Sequence, residues 1–169
     1  MIPAEITRRL EHALRAFCER DRYLLAVDAN ERSISHKIAE HLQPEFVDWS
    51  VDCEYNRDGH DPKVLSSLPR GDGPEGTGSR VFPDIIVHRR GQRGAEGNLL
   101  VVEVKKSLDA TGIEADRFKL ECYLGDLGYQ YAVLLICVVG DEQPGFPFEL
   151  VHIPSRIDAT RRRVQPAPE

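Results

Sequence analysis

Asp84, Glu103 and Lys105 have the residue types and the spacing to do chemistry. Asp84 follows Pro83 at the mouth of an apolar run, Ile85-Ile86-Val87, while Glu103 and Lys105 lie at the end of a second, Leu99-Leu100-Val101-Val102. A carboxylate in a Val/Leu-rich strand is expensive to desolvate unless a cation or hydrogen bonds compensate it. Strand side chains alternate, so Val101, Glu103 and Lys105 share one face and Val102 and Val104 take the other. If the two runs close as a hairpin, Asp84 comes to face Glu103. Two facing carboxylates suit Mg²⁺, which takes one or two such ligands and keeps waters for substrate phosphates. The competing reading is a buried Glu103–Lys105 ion pair that only satisfies two charges, and such pairs stabilise weakly.

The elements that must hold these residues follow from pattern. A polar, Gly-containing connection from Arg89 to Asn98 separates the two runs, as in a β-hairpin. Upstream, Ile34, Ile38 and Leu42 mark the buried stripe of a helix over roughly Glu31 to Gln43, with Asp28-Ala29-Asn30 suited to cap it and Pro44 to end it. At about 100° per residue Glu31 lies within roughly 60° of that stripe and Glu40 on the opposite side. Glu31 should point inward, although a first-turn acid complementing the helix dipole is the alternative. Residues 47 to 55 alternate strictly, with Val47, Trp49, Val51, Cys53 and Tyr55 on one face and the acids Asp48, Asp52 and Glu54 on the other. This predicts a strand with one covered and one solvated acidic face, Glu54 leading into Tyr55-Asn56-Arg57 at its end.

Further along, Pro3, Ile6, Leu10, Leu14 and Phe17 predict an amphipathic first helix. The segment Arg57 to Arg80 holds five glycines and three prolines. It reads as a mobile flap over Asp58–Ser79 near the site, with a brief helical turn over Lys63 to Leu68. Thr111 and Glu114 match a capping box opening a helix with an Ala115, Phe118, Cys122 stripe. Tyr131 to Val139 predicts a strand buried on both faces, and Phe148 to Ile153 a peripheral one. Residues 1–160 read as one domain, and 161–169 as a frayed tail.

The spacing PD, a gap, then E-V-K resembles the PD-(D/E)XK nuclease superfamily. With the order helix, three strands, helix, strand, the resemblance covers roughly residues 28 to 140. NERSISHKIAEHL, VDCEYNR, FPDIIVH and LLVVEVKK are similar to small bacterial members of it. It implies an α/β fold with a restriction-endonuclease-like αβββαβ core. A mixed central sheet is flanked by helices, with an extra N-terminal helix and a C-terminal strand. It further implies Mg²⁺ or Mn²⁺ on Asp84, Glu103, the Val104 carbonyl and Glu31, and Lys105 stabilising charge at the phosphate. The implied activity is phosphodiester hydrolysis, as an endonuclease on DNA ahead of RNA, with a homodimer allowed. Lys119-Leu-Glu-Cys-Tyr123 resembles the QxxxY motif of RecB-like members with Lys in place of Gln. Candidate substrate contacts are Arg57, Arg89, Arg90, Lys106, Lys119 and Tyr123, beside the reading of the hairpin arginines as solubilising charges.

Composition narrows the setting. The longest apolar run, Ala132 to Val139, is too short to cross a bilayer, and MIPAEITRRL has no secretory apolar segment, so no membrane and a cytoplasmic protein are expected. The four cysteines form no CxxC pair and read as reduced, mostly buried thiols. A net charge of −6 disfavours a broad basic nucleic-acid surface but not a local groove. A non-catalytic interaction or nucleic-acid-binding module that retains the fold is therefore the alternative to a nuclease.

Overall fold

The computed structural model describes residues 1–68, 78–106, 110–140 and 144–154, with the side chains of Ala110 and Thr111 excepted. The expected tail and the centre of the Gly/Pro-rich segment, residues 69–77, lie outside these ranges, as does the Thr111 side chain of the expected capping box. Pro3 opens α1 (Pro3–Arg20), whose Ile6, Leu10, Leu14 and Phe17 are fully buried. A single turn, α2 (Tyr23–Ala26), precedes a reversal at Asp28, φ 51°. Lys106 ties that reversal down, its Nζ donating to Asp28 Oδ1 at 2.8 Å and to the Ala29 carbonyl at 3.0 Å. Asn30 then caps α3 (Glu31–Leu42), its side chain accepting the Ser33 N–H at 2.8 Å.

The expected strand over 47–55 is shorter, because both of its ends are diverted. Gln43–Phe46 continues α3 as a 3₁₀ turn and leaves Val47 76% exposed, so β1 covers only Ser50–Cys53. Gln43 takes the place of a strand neighbour on the free edge, accepting the Val51 N–H at 3.0 Å and donating to the Trp49 carbonyl at 2.9 Å. Glu54, at φ 49°, ends the strand and donates its N–H to the Pro83 carbonyl at 2.9 Å.

The segment expected to be a flap is anchored where it is described. Two small antiparallel pairs, β2 (Arg57–Asp58) with β3 (Asp61–Pro62) and β4 (Val64–Leu65) with β5 (Ser79–Arg80), replace the expected helical turn at Lys63 to Leu68. Lys63 is 1% exposed and donates to the Tyr129 hydroxyl at 2.6 Å, while Ser67 donates N–H and Oγ–H to Asp126 at 2.8 and 2.7 Å. Gly78 is required here: its φ is 73°, and a Cβ would sit 2.5 Å from the Leu65 carbonyl oxygen. The pattern missed this because the apolar content is low and the anchors are a buried lysine and a serine.

The remaining elements are β6 (Ile85–His88), the short α4 (Gly94–Gly97), β7 (Asn98–Lys105), α5 (Ala110–Asp126), β8 (Tyr131–Cys137) and β9 (Phe148–Ile153). The sheet order is β1-β6-β7-β8-β9, antiparallel throughout except for β7 and β8, which run parallel. A parallel pair needs a crossover, and α5 supplies it. The molecule is thus mixed α/β, a five-stranded mixed sheet flanked by helices. Ile85, Val87, Val102, Val104, Val133 and Leu135 pack under α1 and α3, while Ile86, Val101, Leu134 and Ile136 pack with Leu120 and Tyr123 of α5. Burial on both faces accounts for the continuous apolar runs in β7 and β8.

The stripe expected on α5 is corrected. Ala115 and Phe118 are exposed, and Leu120, Tyr123 and Leu124 are buried with Cys122. The helix carries Asp116 and Lys119 toward charged residues of β7, so hydrophobicity alone misidentifies its inward side. None of the four cysteines is in a disulfide; Cys122 and Cys137 are buried and Cys18 and Cys53 partly so. Among the described residues no helix is long and apolar enough to cross a membrane.

Candidate functional site

The β6–β7 register puts Ile85 opposite Val102, so one step further Asp84 stands opposite Glu103, as the hairpin reading expects. Directly opposite residues share a face. Asp84 Oδ2 accepts the Val104 N–H at 2.8 Å, which fixes the carboxylate against the neighbouring strand. Glu103 is 4% exposed. One of its oxygens, Oε2, receives Lys119 Nζ at 2.8 Å; the other, Oε1, is buried without a hydrogen-bond partner.

The Glu103–Lys105 ion pair of the competing reading does not form, and two pairs reach to α5 instead. Lys119 takes Glu103, and Lys105 Nζ lies 3.2 Å from Asp116 Oδ2. Residues two apart on a strand are thereby matched to residues three apart on a helix, each spacing keeping its pair on one face. Sequence reading missed Asp116. Its spacing to Lys119, on the helix that has to cross the sheet between β7 and β8, was the available signal.

The site carries more negative than positive charge. Burial pushes the Glu103 carboxyl up to about 8, with Lys119 opposing and Asp84 and Asp116 adding to the rise. Burial also raises Asp84, with Glu31 adding and the Val104 N–H, Lys119 and Lys105 opposing. Burial works against the Lys105 ammonium, yet Asp116, Glu31 and Asp84 hold it above its ordinary value. Glu31 is half-buried and acts electrostatically on Asp84 and Lys105, whereas Glu40 is exposed and bonded to Lys37 at 2.7 Å. The two acids thus lie on opposite sides of α3. With every group ionised, Glu31, Asp84, Glu103 and Asp116 against Lys105 and Lys119 would leave two negative charges in excess, and the raised Glu103 carboxyl removes one of them by keeping its proton near neutral pH.

Asp84 and Glu103 fit a hard divalent ion as a facing carboxylate pair, with Glu103 Oε1 unused. Among the described residues no three His, Cys, Asp or Glu side chains are gathered closely enough to hold a metal ion, so Glu31 does not complete a three-carboxylate cage. Val104 contributes its N–H to Asp84.

The expected substrate contacts divide. Tyr123 is fully buried, its hydroxyl unpartnered and pushed up by burial, and it forms part of the wall behind Glu103 instead of a contact surface. Lys119 neutralises Glu103, and Lys106 holds the Asp28 turn. Arg90 binds Asp52 with two nitrogens, at 2.8 and 2.5 Å, and Arg89 lies over the Trp49 ring at 4.5 Å. Both arginines follow the far end of β6, roughly 17 to 20 Å along the chain from Asp84 at ~3.4 Å per residue. Arg57 is exposed and, with Asn56, Lys63, Arg80 and Phe82, lines a cavity of about 90 Å³ just upstream of Pro83-Asp84. Comparison of the chain with protein-family models, with curated proteins and with solved structures returns no match.

Proposed function

We propose that this protein is a divalent-metal-dependent nuclease of the PD-(D/E)XK kind, hydrolysing phosphodiester bonds in DNA ahead of RNA. The observation that carries the reading is the buried Glu103 opposite Asp84, with one carboxyl oxygen unused among acids that outnumber the lysines. The order α3, β1, β6, β7, α5, β8, with β7 and β8 parallel across α5, supports a restriction-endonuclease-like core. Asp84 and Glu103 would hold Mg²⁺ or Mn²⁺, with the Val104 carbonyl as a further donor and Glu31 acting on the site through its charge alone. Such an ion, when bound, polarises the phosphate and makes water a nucleophile near neutral pH.

The chain's own groups have distinct tasks. The Val104 N–H orients Asp84, and Lys119 holds one Glu103 oxygen so that the other stays directed. Lys105, about one-third exposed and steadied by Asp116, offsets charge that develops on the phosphate oxygens. The test is cleavage of linear single strands, duplex, branched DNA and structured RNA with Mg²⁺ or Mn²⁺. Lys105→Ala should slow cleavage by roughly 10²-fold or more and leave metal binding largely intact.

A second reading, a non-catalytic binding module, draws on Lys119, which already compensates Glu103 at 2.8 Å. On that reading wild type and Lys105→Ala both fail to cleave, and the substitution only weakens partner binding.

A further inference from the structure

The chain runs into Asp84 through a stretch whose burial alternates: Arg80 and Phe82 are exposed, Val81 and Pro83 buried. Phe82 is 53% exposed, two residues from the carboxylate proposed to hold metal. The alternation is that of extended chain, in which residues two apart share a side at a spacing of about 7 Å, so Arg80, Phe82 and Asp84 follow one another along one side. The backbone beneath them is tied down, the Val81 N–H donating to the Lys63 carbonyl at 3.1 Å and the Lys63 N–H to the Asn56 carbonyl at 2.7 Å. These bonds bring Arg57 alongside Arg80.

Arg57, Arg80 and Phe82 edge the cavity of about 90 Å³, and its lining contains no acid. In a chain of net charge −6 this is a place where positive charge is left over. Among the described residues neither arginine side chain has an ion-pair or hydrogen-bond partner. The acids of the adjoining turn are bonded elsewhere, Asp58 to the Asn98 amide at 3.2 Å and Asp61 to Arg93, so Arg57 acts on Asp61 only from a distance. The Lys63 ammonium is likewise committed, to the Tyr129 hydroxyl at 2.6 Å. Two free guanidinium groups match the oxygens of one phosphate. The cavity is far below the roughly 300–1,000 Å³ that encloses a drug-sized ligand, so it takes a group of that size and leaves a base outside, against the exposed Phe82 ring. An aromatic side chain beside a cationic groove is the arrangement on which unpaired bases stack, and a base inside a duplex has no free face to offer it.

We propose that Arg57 and Arg80 hold a phosphate adjoining the one at Asp84 and that Phe82 stacks on the attached base, so that the preferred substrate is a single strand or an unpaired end. The place of that phosphate beside a reacting one rests on the nuclease reading; the binding of single strands at this surface does not.

Binding without metal separates the two. Metal-free protein, titrated with a short fluorescein-labelled oligothymidylate and with its duplex on oligodeoxyadenylate, should bind the single strand about 10-fold more tightly. Phe82→Ala should weaken single-strand binding by about 10-fold, within the range for one stacked base, and Phe82→Trp should restore it. The Arg57→Ala, Arg80→Ala double variant should weaken it as well and make the slope of log K against log salt shallower by about 0.7, the share of one phosphate on a single strand. All three side chains are exposed, so the variants should melt with the wild type. Phe82-dependent binding of the single strand with no cleavage of any substrate would uphold the surface and end the nuclease reading. Metal-dependent cleavage that these variants leave unchanged, with single strand and duplex bound alike, would overturn the inference and leave the nuclease standing. Single-strand binding that is absent from the wild type, or equal in wild type and variants, would also overturn it.

Discussion

The two ends of the β6–β7 hairpin both bury charge, and they treat it in opposite ways. At the connection end, Asp52 accepts from Arg90 at 2.8 and 2.5 Å and pairs with His88 Nε2 at 2.8 Å, and the Asn98 amide donates to the Leu127 carbonyl at 2.9 Å and to Asp58 at 3.2 Å. Burial alone would raise the Asp52 carboxyl, but the bonds from Arg90 and His88 bring it below its ordinary value. At the other end burial prevails, and Asp84 and Glu103 both rise although lysines stand near them. Glu103 Oε1 and Tyr123 Oη are left without partners there. Buried polar groups are nearly always satisfied, so the first is a closed end, complete in its own hydrogen bonds, and the second an open end that leaves two buried oxygens unmatched.

The largest effect expected from this contrast is stabilisation by metal at the open end only. Mg²⁺ or Mn²⁺ at a hundred times its Kd should add about 2.7 kcal/mol, a rise in Tm of roughly 5–10 °C for a chain of this size. Asp84→Asn should lose most of that rise. Asp52→Asn should start from a lower Tm and keep it. A rise of the same size in wild type and Asp84→Asn would remove the carboxylate pair from consideration.

Next in size is the cost of opening the closed end. Asp52→Ala should lower stability by about 2–3 kcal/mol, read from urea midpoints, somewhat below a fully buried pair because Arg90 can turn to solvent. A loss within 0.5 kcal/mol, the range of about ±0.5 usual for surface changes, would mean the network is decorative. Glu103→Gln should do the reverse in the absence of metal, leaving stability unchanged or raising it by about 1 kcal/mol while ending cleavage. Substantial destabilisation by Glu103→Gln would erase the distinction between the two ends.

The parts of this arrangement legible in sequence are those set by period and register. Alternation in a hairpin puts Asp84 opposite Glu103, and the 3.6-residue period turns Glu31 in and Glu40 out. The partners of Glu103 and Lys105 were not legible. Strand periodicity names which residues share a face but not which helix covers it, and Asp116 and Lys119 meet β7 only because α5 lies across it. The same limit explains the misread acidic face of β1. Asp52 alternates like a solvated residue, but its edge strand lies beside His88 and the chain returning from it carries Arg90. Lys63 was illegible for a different reason: one hydrogen bond to Tyr129, distant in sequence, keeps a lysine where composition predicts a mobile loop.

The smallest effect expected belongs to the closed end and concerns pH. Burial lowers His88 from its ordinary 6.5, outweighing the bond to Asp52, with Lys63 and Arg90 pushing the same way. The unfolded chain therefore takes up this proton before the folded one does, so below about 6.5 stability falls with pH. Asp52 is depressed from 3.8, and its contribution is present above that value and lost as pH drops through the lower folded one. Both groups thus favour the folded state toward neutral pH, in two windows, and because they are hydrogen-bonded they titrate as a pair. His152 is also lowered by burial and adds a background of the same sign, so the informative quantity is the difference between two proteins. His88→Gln keeps an amide donor for Asp52 and removes the upper titration. Its stability should fall less than that of wild type between pH 7 and pH 5, in paired urea denaturations at each pH. Parallel curves across that interval would show that His88 takes its proton equally well in both states, and that the closed end is less closed than its hydrogen bonds indicate.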